Sequence, residues 1–220
     1  MNVERLDVPG DPPVRGLLHF AAGADGLVLT HGAGGSRDTP LLVAVAEAFA
    51  GRGVSVLRCD LPFRQARARG APSPAGAARD REGLRAALCV MRTRVSGRLF
   101  LGGHSYGGRQ ASMLLAEEPA LASALLLQSY PLHPPGRPQD LRTAHWPKLR
   151  VPTLFVQGAT DPFATPDELE AARALVPAST RVLSIAAGHD LGWAKARREP
   201  GLPARIADTF LDLVCVAIPG

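Results

Sequence analysis

The sequence has few cysteines and no long apolar run, and each scarcity excludes a class of protein. Its three cysteines, Cys59, Cys89 and Cys215, are odd in number and widely spaced, a pattern that fits neither a disulfide framework nor a zinc site. We therefore expect reduced cysteines in the core of a cytoplasmic protein. No apolar run approaches the roughly 20 residues that cross a bilayer, so we expect no membrane partner. The first ten residues carry acids and lack the apolar segment of a signal peptide.

Lysine is also scarce, since only two of the 25 basic residues are lysines and the net charge of +5 comes almost entirely from arginine. The densest group of arginines lies between residues 64 and 98 and has no interleaved aromatic residues. Arginine is spread along the rest of the chain as well, which indicates a general preference for arginine over lysine and not one basic binding surface. We therefore do not expect nucleic acid as a partner, and the oligomeric state stays open.

With 220 residues, 46% hydrophobic and 20% charged, the chain is predicted to fold as one globular domain over residues 1–220. Apolar segments of strand length alternate with segments of helical length, which predicts an α/β fold whose mostly parallel sheet has helices on both faces. The predicted strands are Val3–Val8, Val14–Phe20, Gly26–Thr30, Val54–Cys59, Leu99–Leu101, Ala124–Leu127, Val151–Gln157 and Arg181–Ile185. The predicted helices are Leu41–Ala50, Ala77–Arg94, Gly107–Glu118, Pro166–Val176 and Pro203–Val216.

Two proline-rich stretches interrupt this alternation and are predicted to be loops. They are Leu61–Gly76 and Pro131–Arg150. The second is too short for a large helical cap domain, so only a minimal cap is expected. Asp38 or Thr39 is predicted to cap the first helix, with Pro40 in its first turn.

The segment GHSYG places Ser105 at the centre of a G-x-S-x-G motif between a predicted strand and a predicted helix. Small residues suit a sharp turn that exposes the serine hydroxyl, and the motif is typical of a nucleophile elbow. A serine hydroxyl needs a base to take its proton, and the base needs an orienting acid. Asp161 and His189 follow two later strands, in the order serine, acid, histidine that this architecture requires. Asp190 is less suited to reach the His189 ring.

An oxyanion needs N–H donors, and the residue after the nucleophile, Tyr106, supplies one. The loop HGAGG after the third strand can supply the other, from Ala33 first or Gly34 second, and His31 is expected to shape this loop. Four aromatic residues lie near predicted strand ends, where they either form an apolar wall for a substrate or pack in the core. These candidate substrate-binding residues are Phe63, Tyr130, Phe163 and Trp193. His133 and His145 have no assigned role, and no metal site is expected.

Taken together, these segments resemble the α/β-hydrolase superfamily over nearly the whole chain, in the small, capless form of the dienelactone hydrolases. The segments that carry the resemblance are HGAGGS, DLPF, GGHSYGGR, SYPLHPPG, LFVQGATDPF and GHDLG. SYPLHPPG and DPF resemble the narrower family that includes the testis-expressed protein thirty and a domain of the nonspecific-lethal chromatin complex. Dienelactone hydrolases proper have cysteine at the elbow, whereas this chain has Ser105.

The resemblance implies Ser105 as nucleophile, His189 as base and Asp161 as acid. We expect a serine hydrolase that cleaves an ester or related acyl bond of a small molecule and needs no cofactor. Some members of the narrower family serve in complexes, so the alternative is an interaction module that retains the hydrolase fold.

Overall fold

The computed structural model describes residues 3–193 and 198–218, and eight strands in this part of the chain form one sheet. The strands are β1 (Val3–Val8), β2 (Val14–His19), β3 (Gly26–Thr30), β4 (Ser55–Cys59), β5 (Leu99–His104), β6 (Ala124–Gln128), β7 (Thr153–Gly158) and β8 (Thr180–Ile185). Their order across the sheet is β1-β2-β4-β3-β5-β6-β7-β8. Strand β2 pairs antiparallel with both of its neighbours, β1 and β4. All other neighbouring strands pair parallel, so the predicted mostly parallel sheet is confirmed.

The helices cover both faces of this sheet. They are α1 (Pro40–Ala50), α2 (Pro62–Ala66), α3 (Ala77–Arg92), α4 (Tyr106–Glu117), α5 (Pro166–Arg173) and α6 (Leu202–Ala217). Apolar residues of α1 and α6 form the core on one face, and those of α3, α4 and α5 form the core on the other. Every residue of β3, β4, β6 and β7 is buried, as expected for parallel strands between two helical layers.

The second stretch predicted as a loop, residues 131–150, contains one 3₁₀ turn, Trp146–Lys148, so no helical cap domain is inserted there. The prediction of a loop over residues 61–76 is wrong for Pro62–Ala66, which forms α2. Pro62 starts this helix because its fixed φ suits the first position. The free N–H of Phe63 then donates to the buried Asp80 carboxylate at 3.0 Å, which holds the short helix in place.

Two further predictions need correction. Cys59 is buried, but Cys89 and Cys215 are exposed on their helices, so the prediction of three core cysteines is wrong for two. Thr39 precedes α1 as its N-cap but makes no capping hydrogen bond to the helix. Its hydroxyl instead donates to the carbonyl of Ser36 at 2.8 Å and closes the turn before the helix.

Candidate active site

Ser105 occupies a strained turn between β5 and α4. Its φ of 51° and ψ of −117° lie where non-glycine residues are rare. The turn is tight because the start of α4 folds back on β5 and the end of β3. A Cβ at Gly103 would lie 2.6 Å from the carbonyl carbon of Gly107, and one at Gly107 would lie 2.4 Å from the carbonyl oxygen of His31. These glycines therefore permit the close approach that exposes the serine hydroxyl at the carboxyl end of the sheet.

The structure brings the Ser105, His189 and Asp161 side chains together in one hydrogen-bonded chain. His189 Nε2 lies 2.8 Å from Ser105 Oγ, and His189 Nδ1 lies 2.8 Å from Asp161 Oδ2. The Asp161 side chain is fully buried, whereas that of His189 is 26% exposed. Such a chain can move a proton from the hydroxyl to the imidazole while the carboxylate holds the ring in the required tautomer.

The Asp161 carboxylate is held by two further donors. Gln157 Nε2 donates to Oδ2 at 2.7 Å, and the Phe163 N–H donates to Oδ1 at 2.9 Å. Gln157 was not predicted as a site residue, although an amide side chain at the end of a buried strand, four residues before the acid, is a signal that could have pointed to it. The acid is therefore oriented independently of the histidine that it orients.

His104, the residue before the serine, holds the loop that carries His189. Its Nε2 lies 3.0 Å from the His189 carbonyl oxygen, and the two rings lie 5.3 Å apart. Burial, and next the neighbouring His189, lowers the pKa of His104 to about 4. The ring is therefore neutral near pH 7 and donates Nε2–H to that carbonyl.

His31 shapes the loop after β3 through both of its ring nitrogens. The Leu61 N–H donates to Nε2 at 3.2 Å, so the ring proton sits on Nδ1, which lies 2.8 Å from the Gly32 carbonyl oxygen. The Gly35 N–H donates to the same oxygen at 3.1 Å. Because a trans peptide sets its C=O and N–H on opposite sides, fixing the Gly32 carbonyl also fixes the direction of the Ala33 N–H. Burial lowers the pKa of His31, which keeps the ring neutral.

The N–H groups of Ala33 and Tyr106 are the predicted oxyanion donors. Over residues 3–193 and 198–218, neither N–H has a protein acceptor. Ala33 and Tyr106 both line one cavity of about 440 Å³, which opens between α4 and the segment 71–77. The cavity therefore lies beside the two residues that carry the predicted donors, at the start of α4, the helix that follows Ser105.

A buried carboxylate fixes the surroundings of Tyr106. Asp80 of α3 is 1% exposed, and its Oδ2 accepts from the Tyr106 hydroxyl at 2.7 Å. Burial raises the pKa of Asp80, and the two hydrogen bonds that it accepts act in the opposite direction. The Phe63 ring packs edge-on between His31 and Tyr106, at 5.6 and 5.7 Å, and is 8% exposed. Phe63 therefore packs against both the loop after β3 and the turn that carries Ser105.

The other predicted wall residues differ in where they lie. The Phe163 ring packs against His189 at 4.4 Å, and Trp193 lines a cavity of about 240 Å³ together with His104. Gly34 lines a third cavity, of about 340 Å³, with Arg64. Tyr130, for which a substrate wall and core packing were both open, lies in the core.

The Tyr130 ring is fully buried and packs against Trp146 at 5.1 Å. Its hydroxyl donates to the Arg142 carbonyl at 2.8 Å, which satisfies the polar end of the side chain inside the core. Of the two alternatives open for this residue, core packing is therefore the one that the structure supports.

The described residues show neither a metal centre nor a membrane-spanning helix. No group of three or more His, Cys, Asp or Glu side chains in this part of the chain could hold a metal ion. No helix there is long and apolar enough to cross a membrane.

Comparison with known proteins gives the same architecture. A family model described as an alpha/beta hydrolase domain matches residues 23–203. The dienelactone hydrolase of Anabaena variabilis is 24% identical, with a TM-score of 0.73 and 98% of each chain covered. An α/β serine hydrolase homologue from Coxiella burnetii is 16% identical, with a TM-score of 0.74 over 93% of this chain and 97% of that one. A Xanthomonas campestris serine hydrolase without a lid is 18% identical, with a TM-score of 0.70 over 100% of this chain and 95% of that one.

Proposed function

The chain belongs to the alpha/beta hydrolase domain family, and from this premise we propose that it is a serine hydrolase that cleaves carboxylic esters of small molecules. The observation that carries the proposal is the chain of two 2.8 Å hydrogen bonds from Ser105 through His189 to Asp161. The fold agrees with that of the serine hydrolases to which the chain is similar.

In the proposed reaction, Ser105 Oγ attacks the ester carbonyl carbon while His189 Nε2 takes the hydroxyl proton. The N–H groups of Ala33 and Tyr106 stabilise the oxyanion of the tetrahedral intermediate. The intermediate collapses to an acyl-serine, and His189 gives the proton to the departing alcohol. Water then attacks the acyl-serine with His189 as base, so one ester and one water become one acid and one alcohol.

The first test is turnover of p-nitrophenyl acetate and p-nitrophenyl butyrate by the wild type and by Ser105→Ala. We expect Ser105→Ala to lose about three to six orders of magnitude in kcat/KM, as losses of a nucleophile do elsewhere. Ser96→Ala is the matched control, because Ser96 is exposed and lies outside the site. Equal turnover by the wild type and Ser105→Ala would refute the assignment.

The narrower resemblance to the family of the testis-expressed protein thirty keeps an interaction module as the alternative. A fluorophosphonate probe separates the two readings, because it reacts only with an activated serine. Labelling that is lost in Ser105→Ala supports the hydrolase. Folded wild-type protein that takes no label supports the module.

A further inference from the structure

The cavity beside the proposed oxyanion donors is lined by Arg109, whose guanidinium group has no hydrogen-bond or ion-pair partner among the residues that the structure describes. Arg109 lies one helical turn after Ser105 on α4, and its N–H donates to the Ser105 carbonyl at 3.0 Å. Its side chain is half-buried and lines the cavity of about 440 Å³ that Ala33 and Tyr106 also line. Its Nε is buried without an acceptor. Across the described part of the chain, no hydrogen bond or ion pair involves its guanidinium group.

Two neighbouring arginines differ because their guanidinium groups are occupied. Arg64 donates to the carbonyl oxygens of Ala33 and Ala68, each at 2.7 Å, and so ties two loops together. Arg81 lies 3.5 Å from Glu117 and has a hydrogen bond of 3.2 Å to a glutamine. Arg109 is therefore the cavity cation whose donors stay free for a ligand.

The surroundings of Arg109 leave its charge uncompensated. The pKa of Arg142 is lowered by burial and next by Arg109, so the two cations oppose each other. The pKa of His145 falls to about 4 through burial first, and then through Arg109 and Arg81, so this ring is neutral near pH 7. A cation that lies near a second cation attracts an anion. A bound carboxylate would supply both the missing charge and the missing acceptors.

We propose that this cavity binds an acyl chain that ends in a carboxylate, with Arg109 as the group that binds the carboxylate. The inference rests on the proposed function, because it names the substrate class of the same site. One free guanidinium matches one carboxylate, whose two oxygens fit its planar fork. The proposed substrates are therefore monoesters of short dicarboxylic acids.

The position of the cavity assigns the carboxylate to the acyl half of the ester. The residues that line it come from the loop after β3, from the segment 71–77 and from α4. None comes from the loops after β7 and β8, which carry Asp161 and His189. His189 has to reach the leaving oxygen to protonate it, so the alcohol lies on the His189 side and the acyl chain lies in the cavity.

A short acyl chain is the first to test. Four residues separate Ser105 from Arg109 at the start of α4, a rise of about 6 Å along the helix axis. Pro72 and Met113 contribute apolar walls to the cavity, and these suit the methylene groups between an ester carbonyl and a terminal carboxylate. Glutarate therefore serves as the probe acid.

The kinetic test compares two esters that differ in one group. p-Nitrophenyl hydrogen glutarate ends in a carboxylate, whereas p-nitrophenyl pentanoate ends in a methyl group. Spontaneous hydrolysis, measured with Ser105→Ala, is subtracted from both rates. We expect the wild type to favour the glutarate in kcat/KM, and Arg109→Gln to lower the ratio of the two values about 10- to 100-fold.

Arg5→Gln is the matched control, because it removes the same charge from an exposed position on β1 and should leave the ratio unchanged. A third ester, 4-carboxyphenyl pentanoate, carries the carboxylate on the alcohol, and its ratio to phenyl pentanoate should not depend on Arg109. A glutarate ratio that changes less than twofold in Arg109→Gln, or an Arg109 effect confined to the alcohol-side carboxylate, overturns the inference.

Calorimetric titration of the full-length protein with glutarate separates failure of this inference from failure of the proposed function. We expect Ser105→Ala to bind glutarate and the double variant with Arg109→Gln to bind at least tenfold more weakly. Binding that depends on Arg109 without any ester turnover would support the anion site and refute the hydrolase. Ester turnover that depends on Ser105 without any effect of Arg109 would support the hydrolase and overturn the carboxylate site.

Discussion

The two hydrogen bonds of His31 can be removed separately, and the separation tests how the Ala33 N–H is positioned. An asparagine at position 31 places its amide nitrogen near the Nδ1 position, so His31→Asn keeps a donor for the Gly32 carbonyl and loses the acceptor for Leu61. A glutamine places its amide oxygen near the Nε2 position, so His31→Gln keeps the acceptor and loses the donor. Both bonds are visible in the structure, at 2.8 and 3.2 Å.

His31→Gln should therefore have the lower kcat, and His31→Asn should have the lower free energy of unfolding. Complete loss of an oxyanion donor lowers kcat about 10²- to 10³-fold elsewhere. His31→Gln leaves the Gly35 N–H as the remaining donor to the Gly32 carbonyl, so the peptide that carries the Ala33 N–H is loosened and not freed, and we expect about a tenfold loss in kcat with little change in KM. His31→Asn should stay within about threefold of the wild type in kcat. It leaves the buried Leu61 N–H unpaired, so its free energy of unfolding should fall by about 1–3 kcal/mol.

The assay is steady-state turnover of p-nitrophenyl butyrate, combined with urea denaturation of each variant at pH 7.5. If the bond to the Gly32 carbonyl positions the Ala33 N–H, the larger loss of kcat occurs in His31→Gln and the larger loss of stability occurs in His31→Asn. Equal kcat values for the two variants, with both folded, would refute the reasoning, since the Gly32 bond would then have no effect on the reaction.

Three other predictions concern the groups around the reacting side chains. Gln157→Leu removes the 2.7 Å donor from Asp161 and should lower kcat about 5- to 30-fold with an unchanged circular dichroism spectrum, a result that a wild-type kcat would contradict. His104→Phe keeps an aromatic ring but loses the bond to the His189 carbonyl, so fluorophosphonate labelling should slow about tenfold, and an unchanged labelling rate would exclude a positioning role. Three histidines with a folded-state pKa of about 4 should make the protein less stable in acid, because the unfolded chain binds more protons as the pH falls from about 6.5 to 4. They are His19, His104 and His145. Each histidine changes the free energy of unfolding by at most about 1.4 kcal/mol per pH unit. A urea midpoint that stays the same when the pH is lowered from 7 to 5 would contradict this prediction.

The sequence predicted the grouping of Ser105, Asp161 and His189 because a simple geometric rule connects them. Each residue follows a strand of the parallel part of the sheet, and the carboxyl ends of parallel strands meet at one edge of the sheet. The rule needs neither the register of the strands nor the tilt of the helices. It therefore holds even where predicted strand ends are inaccurate, as for β5, which continues to His104 instead of ending at Leu101.

The partners of these residues could not be predicted in the same way. Asp80 reaches Tyr106 from the first turn of α3, and this contact depends on how α3 and α4 pack. Tyr130 followed the strand-end rule and yet lies in the core. Ser129 before it has a φ of 49°, and nothing in the sequence signals that the backbone turns there.

The exposed cysteines show an error that helical periodicity could have prevented. Buried residues on α3 include Leu84, Ala87, Leu88 and Met91, which follow the i, i+3, i+4, i+7 pattern of one face. Cys89 falls outside this pattern and is exposed. Residue type favours burial of a free cysteine, but the position on the helix decides it.

The sheet topology explains why the loop after β3 and the elbow after β5 have to be neighbours. The chain passes from β3 to β4 on one side and later returns to β5 on the other side of β3. Strand order therefore reverses between β3 and β5, and the crevice that forms at such a reversal is where ligands bind in open α/β sheets. The two loops approach so closely that a Cβ at Gly107 would lie 2.4 Å from the His31 carbonyl oxygen. The same crossing that creates the crevice thus brings Ala33 and Tyr106 to one cavity, and α4 places Arg109 on its wall.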